Sequence, residues 1–211
     1  GAVRVGRSGG GLGCGWQTGR EQVGRIGDLG GGTSDFSVVR VSPERAKNSD
    51  RSDDILATAG VHVGGTDFDR LLATGKVMPE LGLGTMTRDG KRHLPTAPYF
   101  DLATWHRINR LYTAQTLRDL RSTSREAKRP DLVDRLVAVV EKRLGHRLIG
   151  AVEAAKIALS DADAIDFVFD VDAVRIQTPM TVRDLTAALK HPVDRIAATV
   201  DETLAQAGVG P

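Results

Sequence analysis

The sequence predicts an α/β fold in two parts, a partial β-sheet subdomain and a mainly helical subdomain with a small β-hairpin or sheet. Three observations support this prediction. A glycine-rich loop is followed by two short stretches of strand composition, 36–41 and 55–59. The chain is then mainly helical in character from 66 to about 190. Within that part, residues 167–171 alternate between apolar and polar side chains, as a half-buried strand does.

The sheet subdomain is organised around residues 28–35, which read Asp-Leu-Gly-Gly-Gly-Thr-Ser-Asp. The stretch before them, 23–27, is predicted to be a poor strand because it contains two glycines. The polar segment 42–54 joins the two predicted strands and is expected to be an exposed hairpin loop. A second glycine turn, 64–69, opens a helix with acidic residues in its first turn. The free amides and the dipole of such a helix start are favourable to an anion.

The helical subdomain is predicted from apolar periodicity. We expect a short helix over 67–77, an irregular segment over 78–98 and helical structure over 101–129. Arginines and lysines are dense in the last of these, but acidic residues interrupt them, which favours a solvated helix face over a nucleic-acid patch. The next predicted helices are one from Pro130 that ends at Gly145 and one over 148–160.

The end of the chain is predicted to contain a hairpin and a terminal helix. Residues 174–176 are expected to return beside strand 167–171. Thr181 and Asp184 have the spacing of a capping box and begin a helix. Pro192 is expected to start the last helix, which Gly208 ends.

Composition narrows the classes of function. Twenty-nine basic and 27 acidic residues leave a net charge of +2, which does not indicate a polyanion-binding surface, so we expect no nucleic-acid partner. The single cysteine, Cys14, excludes an internal disulfide and fits a reduced, cytoplasmic setting. No apolar run approaches the roughly 20 residues that span a bilayer, so we expect no membrane partner.

The glycine loop is the strongest candidate for chemistry. Glycines reach positive φ without steric cost and let a ligand touch the main chain, so consecutive glycines suit amides that face phosphate oxygens. Thr33 adds a hydroxyl group. Asp28 and Asp35 flank these amides, and because carboxylates repel bare phosphate they indicate a bridging cation such as Mg²⁺ or a water to be oriented. On these residues alone, a glycine-rich turn between strands is an equally good interpretation.

A polar stripe on the helix predicted over 148–160 is the second candidate. Glu153, Lys156 and Ser160 stand at positions i, i+3 and i+7, which lie on one face of a helix. A stripe of this kind is usually only a solvated surface with an ion pair. The residues alone therefore favour the structural interpretation.

Together these segments resemble a known family. The glycine loop, the turn at 64–69, the segment 153–160 and the C-terminal strands and helix occur in the order found in the nucleotide-binding domain of the seventy-kilodalton heat-shock (DnaK-type) chaperones. Residues 98–109 resemble the divergent YegD-like bacterial branch. The resemblance covers the chain from about Ile26 to its end, and it implies the second lobe of an actin-like (ribonuclease H-like) ATPase.

The resemblance also implies a set of site residues for ATP or ADP with Mg²⁺. The β- and γ-phosphates would be bound by the main chain of the first loop, namely Gly30, Gly31, Gly32 and Thr33. Asp28 and Asp35 would orient Mg²⁺-bound waters and the attacking water, and with Thr33 they form the expected catalytic set. Contacts from the other side of the nucleotide would come from the second glycine turn and the helical stripe: Gly64, Gly65, Glu153, Lys156 and Ser160.

The implied division of the chain has three parts. Residues 1–25 match nothing in the family and are expected to be a disordered or non-native flank. Residues 26–63 and 191–211 would form the sheet-and-helix subdomain, and 64–190 the mainly helical one. In the intact protein, nucleotide state would be coupled to protein-folding assistance, with unfolded proteins or co-chaperones as partners.

Three alternatives stay open at this point. Family members also carry an Asp-x-Gly-Thr loop, a catalytic lysine and a Gly-Gly-x-Ser adenine loop, none of which is found in this sequence, so we expect weak or undetectable turnover. A non-enzymatic interaction module is therefore the first alternative, and an inactive fragment is the second. A sugar kinase is the third, although no sugar-site base is identifiable. The five histidines show no metal-ligand spacing, and no P-loop motif is present.

Overall fold

The computed structural model describes residues 4–5, 20–47, 49–172 and 174–210. Their fold is α/β, with one small sheet of four strands and one of two strands. The chain divides into two compact units. Gly1–Gly65 with Lys190–Pro211 form the first, here called the sheet unit, and Thr66–Leu189 form the second, the helical unit.

The sheet unit contains four strands in the order of the sequence: β1 Arg4–Val5, β2 Gln22–Leu29, β3 Ser34–Val41 and β4 Ile55–Val61. The two-residue β1 is parallel to β2, and the other neighbours are antiparallel. The strands predicted over 36–41 and 55–59 are thus confirmed as β3 and β4. Register places Asp28 opposite Asp35 and Asp35 opposite Gly60.

The prediction of a poor strand over 23–27 is wrong, because these residues lie inside β2. A continuous ladder with β3, from Gln22↔Val41 to Leu29↔Ser34, outweighs the conformational cost of the glycines. Gly27 also has a packing role, since a Cβ built there would lie 3.3 Å from the ring of Phe36 on the opposite strand. Within the expected flank over 1–25, residues 22–25 belong to β2 and Arg4–Val5 form β1. Residues 1–3 and 6–19 lie outside the described residues.

The loop predicted over 42–54 is largely exposed but is anchored near the start of β4 by the buried Asp54. Asp54 is 6% exposed and accepts hydrogen bonds from Arg45 and Arg51, each at 2.9 Å. The Arg51 and Arg45 guanidinium groups hold the pKa of Asp54 below its ordinary value. These contacts fix the end of the loop next to the start of β4.

The helical unit begins with α1, Gly65–Leu72, and contains most of the helices. The others are α2 Ala97–Ala103, α3 Ala114–Glu126, α4 Pro130–Glu141 and α5 Gly145–Ala158. A hairpin comes next, with β5 Ala164–Val171 paired antiparallel to β6 Val174–Thr181. The last helix is the long α6, Val182–Gln206, whose residues from Lys190 onward belong to the sheet unit. Along the described residues, no helix combines the length and the apolarity needed to cross a bilayer.

The core of the helical unit is built from the periodicities that predict its elements. The apolar residues that recur at helical spacing along α4 are buried, namely Val133, Val137 and Val140. On the hairpin, inward residues alternate with exposed ones, so that Phe167 and Phe169 are buried while Val168 is 53% exposed. The predicted hairpin, α4 and α5 are therefore confirmed, with boundaries that differ by a few residues.

Two predictions in this part are wrong. Gly145 is not the cap of α4, which ends at Glu141, but the first residue of α5. Its lack of a side chain serves packing, because a Cβ there would lie 2.6 Å from Cγ2 of Ile108 and 2.8 Å from the Tyr112 hydroxyl. Pro192 does not start a helix either, since it lies inside α6. The capping box confirmed at Thr181 starts this helix ten residues earlier, and residues on both sides of the proline continue it.

Candidate functional site

The first glycine motif forms the tight connection between β2 and β3. Gly30 donates its amide hydrogen to the Thr33 carbonyl at 2.8 Å, which closes the loop. Neither Gly30 nor Gly32 lies in the left-handed region of φ, so positive φ is not what requires glycine at these two positions. Gly32 and Thr33 are exposed, and no atom lies within 4 Å of a Cβ built on Gly32. A ligand can therefore approach the main chain of this loop directly.

The second glycine motif lies against the first within the sheet unit. Gly65 donates to the Gly30 carbonyl at 3.1 Å. A Cβ built on Gly64 would lie 2.5 Å from the carbonyl carbon of Gly31 and from the amide nitrogen of Gly32. Glycine is required at this position because two stretches of main chain touch there. The two motifs, far apart in the sequence, therefore make one surface of main-chain atoms.

A buried hydroxyl group supports this arrangement. Ser34, at the start of β3, is fully buried and donates to the Val63 carbonyl at 2.8 Å. This bond ties the end of the first glycine loop to the residue just before the second. Ser34 is not among the residues predicted from the sequence, although its place between Thr33 and Asp35 in the motif is a signal for such a role.

The two carboxylates of the motif lie on the same face of the β2–β3 pair. Asp28 and Asp35 are directly opposite in register, and both are exposed. Opposite residues in antiparallel strands have Cβ atoms about 4.5–5.5 Å apart, and like charges in such pairs repel. Asp35 lies over Gly60, where a Cβ would collide with its carboxylate. A cation near both carboxylates would remove the repulsion between them.

This donor set fits Mg²⁺. The ion usually keeps several waters and takes one or two protein carboxylates together with phosphate oxygens. Asp28 and Asp35 supply two carboxylates beside exposed main chain. Among the described residues, no group of three or more His, Cys, Asp or Glu side chains is placed to hold a metal ion.

The polar residues predicted on one helix face, Glu153, Lys156 and Ser160, lie in the helical unit, and one of them has an ion-pair partner on another helix. Lys156 forms an ion pair with Asp69 of α1, with Nζ 2.7 Å from Oδ1. Glu153 is exposed on α5, and Ser160 is exposed in the turn after the helix ends at Ala158. The three residues thus share a side of α5 and its end, but one of them is already paired.

Asp69 is a second residue that was not predicted from the sequence. It is 7% exposed, and burial raises the pKa of its carboxyl, an effect that Lys156 opposes and the charge of Glu153 strengthens. A usable signal is its position at the end of the second glycine motif, one turn into an amphipathic helix. The neighbouring acid, Asp67, pairs instead with Arg70 at 3.3 Å.

The structure thus places the candidate residues in two groups. Asp28, Asp35, the loop 30–33 and the Gly64–Gly65 turn come together in the sheet unit, whereas Glu153, Lys156 and Ser160 belong to the helical unit. A scan against protein-family models finds none that matches the chain.

Proposed function

We propose that the chain is the nucleotide-binding part of a chaperone-type ATPase, which holds ATP or ADP with Mg²⁺ at the first glycine loop. The observation that carries this proposal is the contact between the two glycine motifs. The Gly65 amide lies 3.1 Å from the Gly30 carbonyl, and Gly64 touches the main chain of Gly31 and Gly32. Exposed main-chain amides in a glycine-rich turn are a common way to bind phosphate.

Each residue of the sheet unit has a distinct part in this proposal. Gly32 and Thr33, which are exposed, offer amide hydrogens and a hydroxyl group to phosphate oxygens. Asp28 and Asp35 accept hydrogen bonds from water and hold it beside the loop. Mg²⁺ bound there would neutralise charge on the phosphate oxygens. Gly64 has no side chain and so allows its main chain to lie against Gly31 and Gly32.

The adenosine contacts that the resemblance implies, Glu153, Lys156 and Ser160 of the helical unit, stay predictions from the sequence. The exposed carboxylate of Glu153 and hydroxyl of Ser160 can each accept a hydrogen bond from a ribose hydroxyl. Lys156 is fixed by Asp69 at 2.7 Å, so it would act from a set position. Folding clients, co-chaperones and a cytoplasmic setting remain predictions from the sequence.

Calorimetric titration with ADP in the presence of Mg²⁺ tests the proposal. We expect saturable binding, and we expect Asp28→Asn to weaken it at least tenfold because one of the two opposed carboxylates is lost. Asp53→Asn, which removes another exposed carboxylate from the same unit, is the matched control and should bind as the wild type does. Removal of Mg²⁺ by a chelator should abolish the difference between the two variants.

A folded protein that shows no binding heat at millimolar ADP contradicts the proposal. Circular dichroism of the same samples establishes that the protein is folded. Phosphate release is measured separately, because nucleotide binding and hydrolysis depend on different groups.

An interaction module is the second candidate, and one observation favours it. A shallow pocket of about 150 Å³ lies beside β2 in the sheet unit, and its lining includes Ile26, Leu29, Phe36 and Leu204. Leu29 is 48% exposed there. Exposed apolar surface of this kind is typical of protein contacts. Sedimentation at rising concentration, with Leu29→Ser as the variant, would detect self-association through this surface.

A further inference from the structure

A cationic surface of the helical unit belongs to neither of the two groups of candidate residues. It comprises the segments 88–92 and 125–131, which together contain six basic and three acidic residues. All six basic residues are exposed, namely Arg88, Lys91, Arg92, Arg125, Lys128 and Arg129. The whole chain has a net charge of only +2, so these two segments concentrate positive charge that is balanced elsewhere in the chain.

Main-chain pairing brings the two segments together. The Arg88 amide donates to the Glu126 carbonyl at 2.7 Å. Next to this bond, Thr87 and Ala127 form an antiparallel bridge. Both are buried, whereas their neighbours Arg88 and Lys128 are exposed, as the alternation of side chains along an extended chain requires. The cations of the loop and those at the end of α3 therefore share one surface.

The loop that carries Arg88 and Lys91 has a fixed shape. Asp89 accepts hydrogen bonds from the Thr87 hydroxyl at 2.6 Å and from the Lys91 amide at 3.1 Å. Gly90 has a φ of +70°, which residues with a side chain rarely adopt. A small apolar cluster fixes the end of this loop to the start of α4, and its members are Leu94, Ala127 and Val133. The cations are thus held in place before a partner binds, which lowers the entropic cost of binding.

The carboxylates of this surface compensate only part of its charge. Arg92 pairs with Glu126 at 3.5 Å. Arg129 pairs with Asp131 at 2.7 Å. The other four cations form no ion pair with any residue in the described part of the chain, namely Arg88, Lys91, Arg125 and Lys128. Four cations held near one remaining carboxylate, Asp89, repel one another, and an anionic partner would relieve this repulsion.

We propose that this cationic surface binds an acidic polypeptide segment, one that carries several aspartate or glutamate side chains in succession. Arg88 and Arg125 present planar guanidinium groups, which pair with carboxylates through two hydrogen bonds. Lys91 and Lys128 add point charges on flexible side chains. Because the surface consists of two short segments, it matches a short run of acidic residues. This inference goes beyond the proposed function and does not depend on nucleotide binding.

A nucleic acid fits this surface less well. No Phe, Tyr or Trp side chain lies within 85–94 or 121–131, so these segments offer no such ring on which an unpaired base could stack. A phosphate backbone carries its charge along the whole strand, whereas the cations here are confined to two short segments. The net charge of +2 over the whole chain adds little further attraction.

Fluorescence anisotropy with the full chain tests the proposal. The probe is a labelled decapeptide with six consecutive glutamates between pairs of glycines, and the matched control peptide has glutamines in their place. We expect saturable binding of the glutamate peptide, at least tenfold tighter than that of the glutamine peptide. Raising the salt concentration from about 50 to about 200 mM should weaken this binding severalfold, because ions screen exposed charges. Equal binding of the two peptides would overturn the proposal.

Paired substitutions distinguish this surface from an effect of net charge. Arg88→Gln combined with Lys128→Gln removes one unpaired cation from each segment and should weaken binding of the glutamate peptide at least fivefold. Arg110→Gln combined with Arg183→Gln is the matched control, which removes two exposed cations elsewhere in the helical unit and should bind within twofold of the wild type. Circular dichroism establishes that both variants are folded. An equal loss of binding in the two variants contradicts the proposal.

A heptathymidine oligonucleotide is the competing ligand, because its six phosphodiester charges match the six carboxylates of the peptide. Weaker binding of the oligonucleotide than of the peptide supports an acidic polypeptide as the partner. Tighter binding of the oligonucleotide, lost in the variant with Arg88→Gln and Lys128→Gln, would overturn the proposal and assign the surface to nucleic acid.

Discussion

The two units of this protein bury very different amounts of apolar side chain. In the described part of the sheet unit, the buried hydrophobic residues are Val38, Val61, Val63 and Leu204. In the helical unit a single cluster joins helices α1, α2, α4 and α5 to both strands of the hairpin. The sheet unit is therefore held mainly by main-chain hydrogen bonds and close glycine contacts, whereas side-chain packing holds the helical unit.

The same contrast separates the two candidate sites. The glycine loop offers main-chain atoms, and its shape depends on positions where a Cβ does not fit. The polar stripe of α5 offers side chains instead, and one of them, Lys156, is held by its ion pair with Asp69. Substitutions should therefore act on the first site through steric conflict and on the second through loss of a chemical group.

The largest expected effect comes from the core of the helical unit. Leu148 is fully buried, and Leu148→Ala should lower the free energy of unfolding by about 3–4 kcal/mol because it leaves a cavity. Val38→Ala, the corresponding change in the sheet unit, should cost about 2 kcal/mol or less, since fewer methyl groups are removed. Guanidinium chloride unfolding measures both. A larger loss for Val38→Ala would break the comparison between the units.

A smaller effect is expected where the two glycine motifs touch. Gly64→Ala places a Cβ 2.5 Å from main-chain atoms of Gly31 and Gly32, and should cost about 2–3 kcal/mol through overpacking. Gly32→Ala is the matched control, with no atom within 4 Å of the new Cβ, and should change stability by less than about 1 kcal/mol. Thermal unfolding ranks the two variants. Equal melting temperatures would show that the main-chain contact is not required.

The smallest effect is expected at the start of α6. Asp184 accepts hydrogen bonds from the amide and hydroxyl of Thr181, at 3.0 and 2.8 Å, and Asp184→Ala should cost about 1 kcal/mol. Asp201→Ala, an exposed position later in the same helix, should cost less than about 0.5 kcal/mol.

The effect at Asp184 should depend on pH in a defined direction. The hydrogen bonds from Thr181 lower the pKa of Asp184 in the folded protein. The carboxylate therefore contributes its full stability above its unfolded pKa of about 3.9 and loses it as the pH falls through the folded value. Unfolding curves of wild type and Asp184→Ala should converge in that acidic range. A constant difference down to pH 2 would exclude the carboxylate as the cause.

Much of the fold is predictable from the sequence because local patterns agree with tertiary packing. The apolar stripe of α4 and the alternation of β5 each bury one face, and the capping box at Thr181 supplies a local hydrogen bond at a helix start. The wrong predictions concern residues whose structure depends on contacts with residues far away in the sequence. β2 depends on its ladder with β3, and Gly145 depends on Ile108 and Tyr112.

The candidate site follows the same division. The glycines and carboxylates of residues 28–35 can be recognised from their chemistry, whereas the contact of Gly64 with Gly31 and Gly32 is known only from the folded chain. Burial of Asp69 and its pairing with Lys156 could not be predicted, because the partners lie on different helices and neither is marked by periodicity.

Asp28 and Asp35 lie opposite each other because the connection between β2 and β3 has four residues, so the length of this loop sets the spacing of the two charges. Side chains alternate faces along a strand, so a slip of one residue would bring Ser34 opposite Asp28 and separate the two carboxylates. The distance between the charges is thus encoded in the number of residues in the loop. Insertions or deletions at 30–33 that change this register would stop the two carboxylates from acting on the same cation, although no acidic residue is removed.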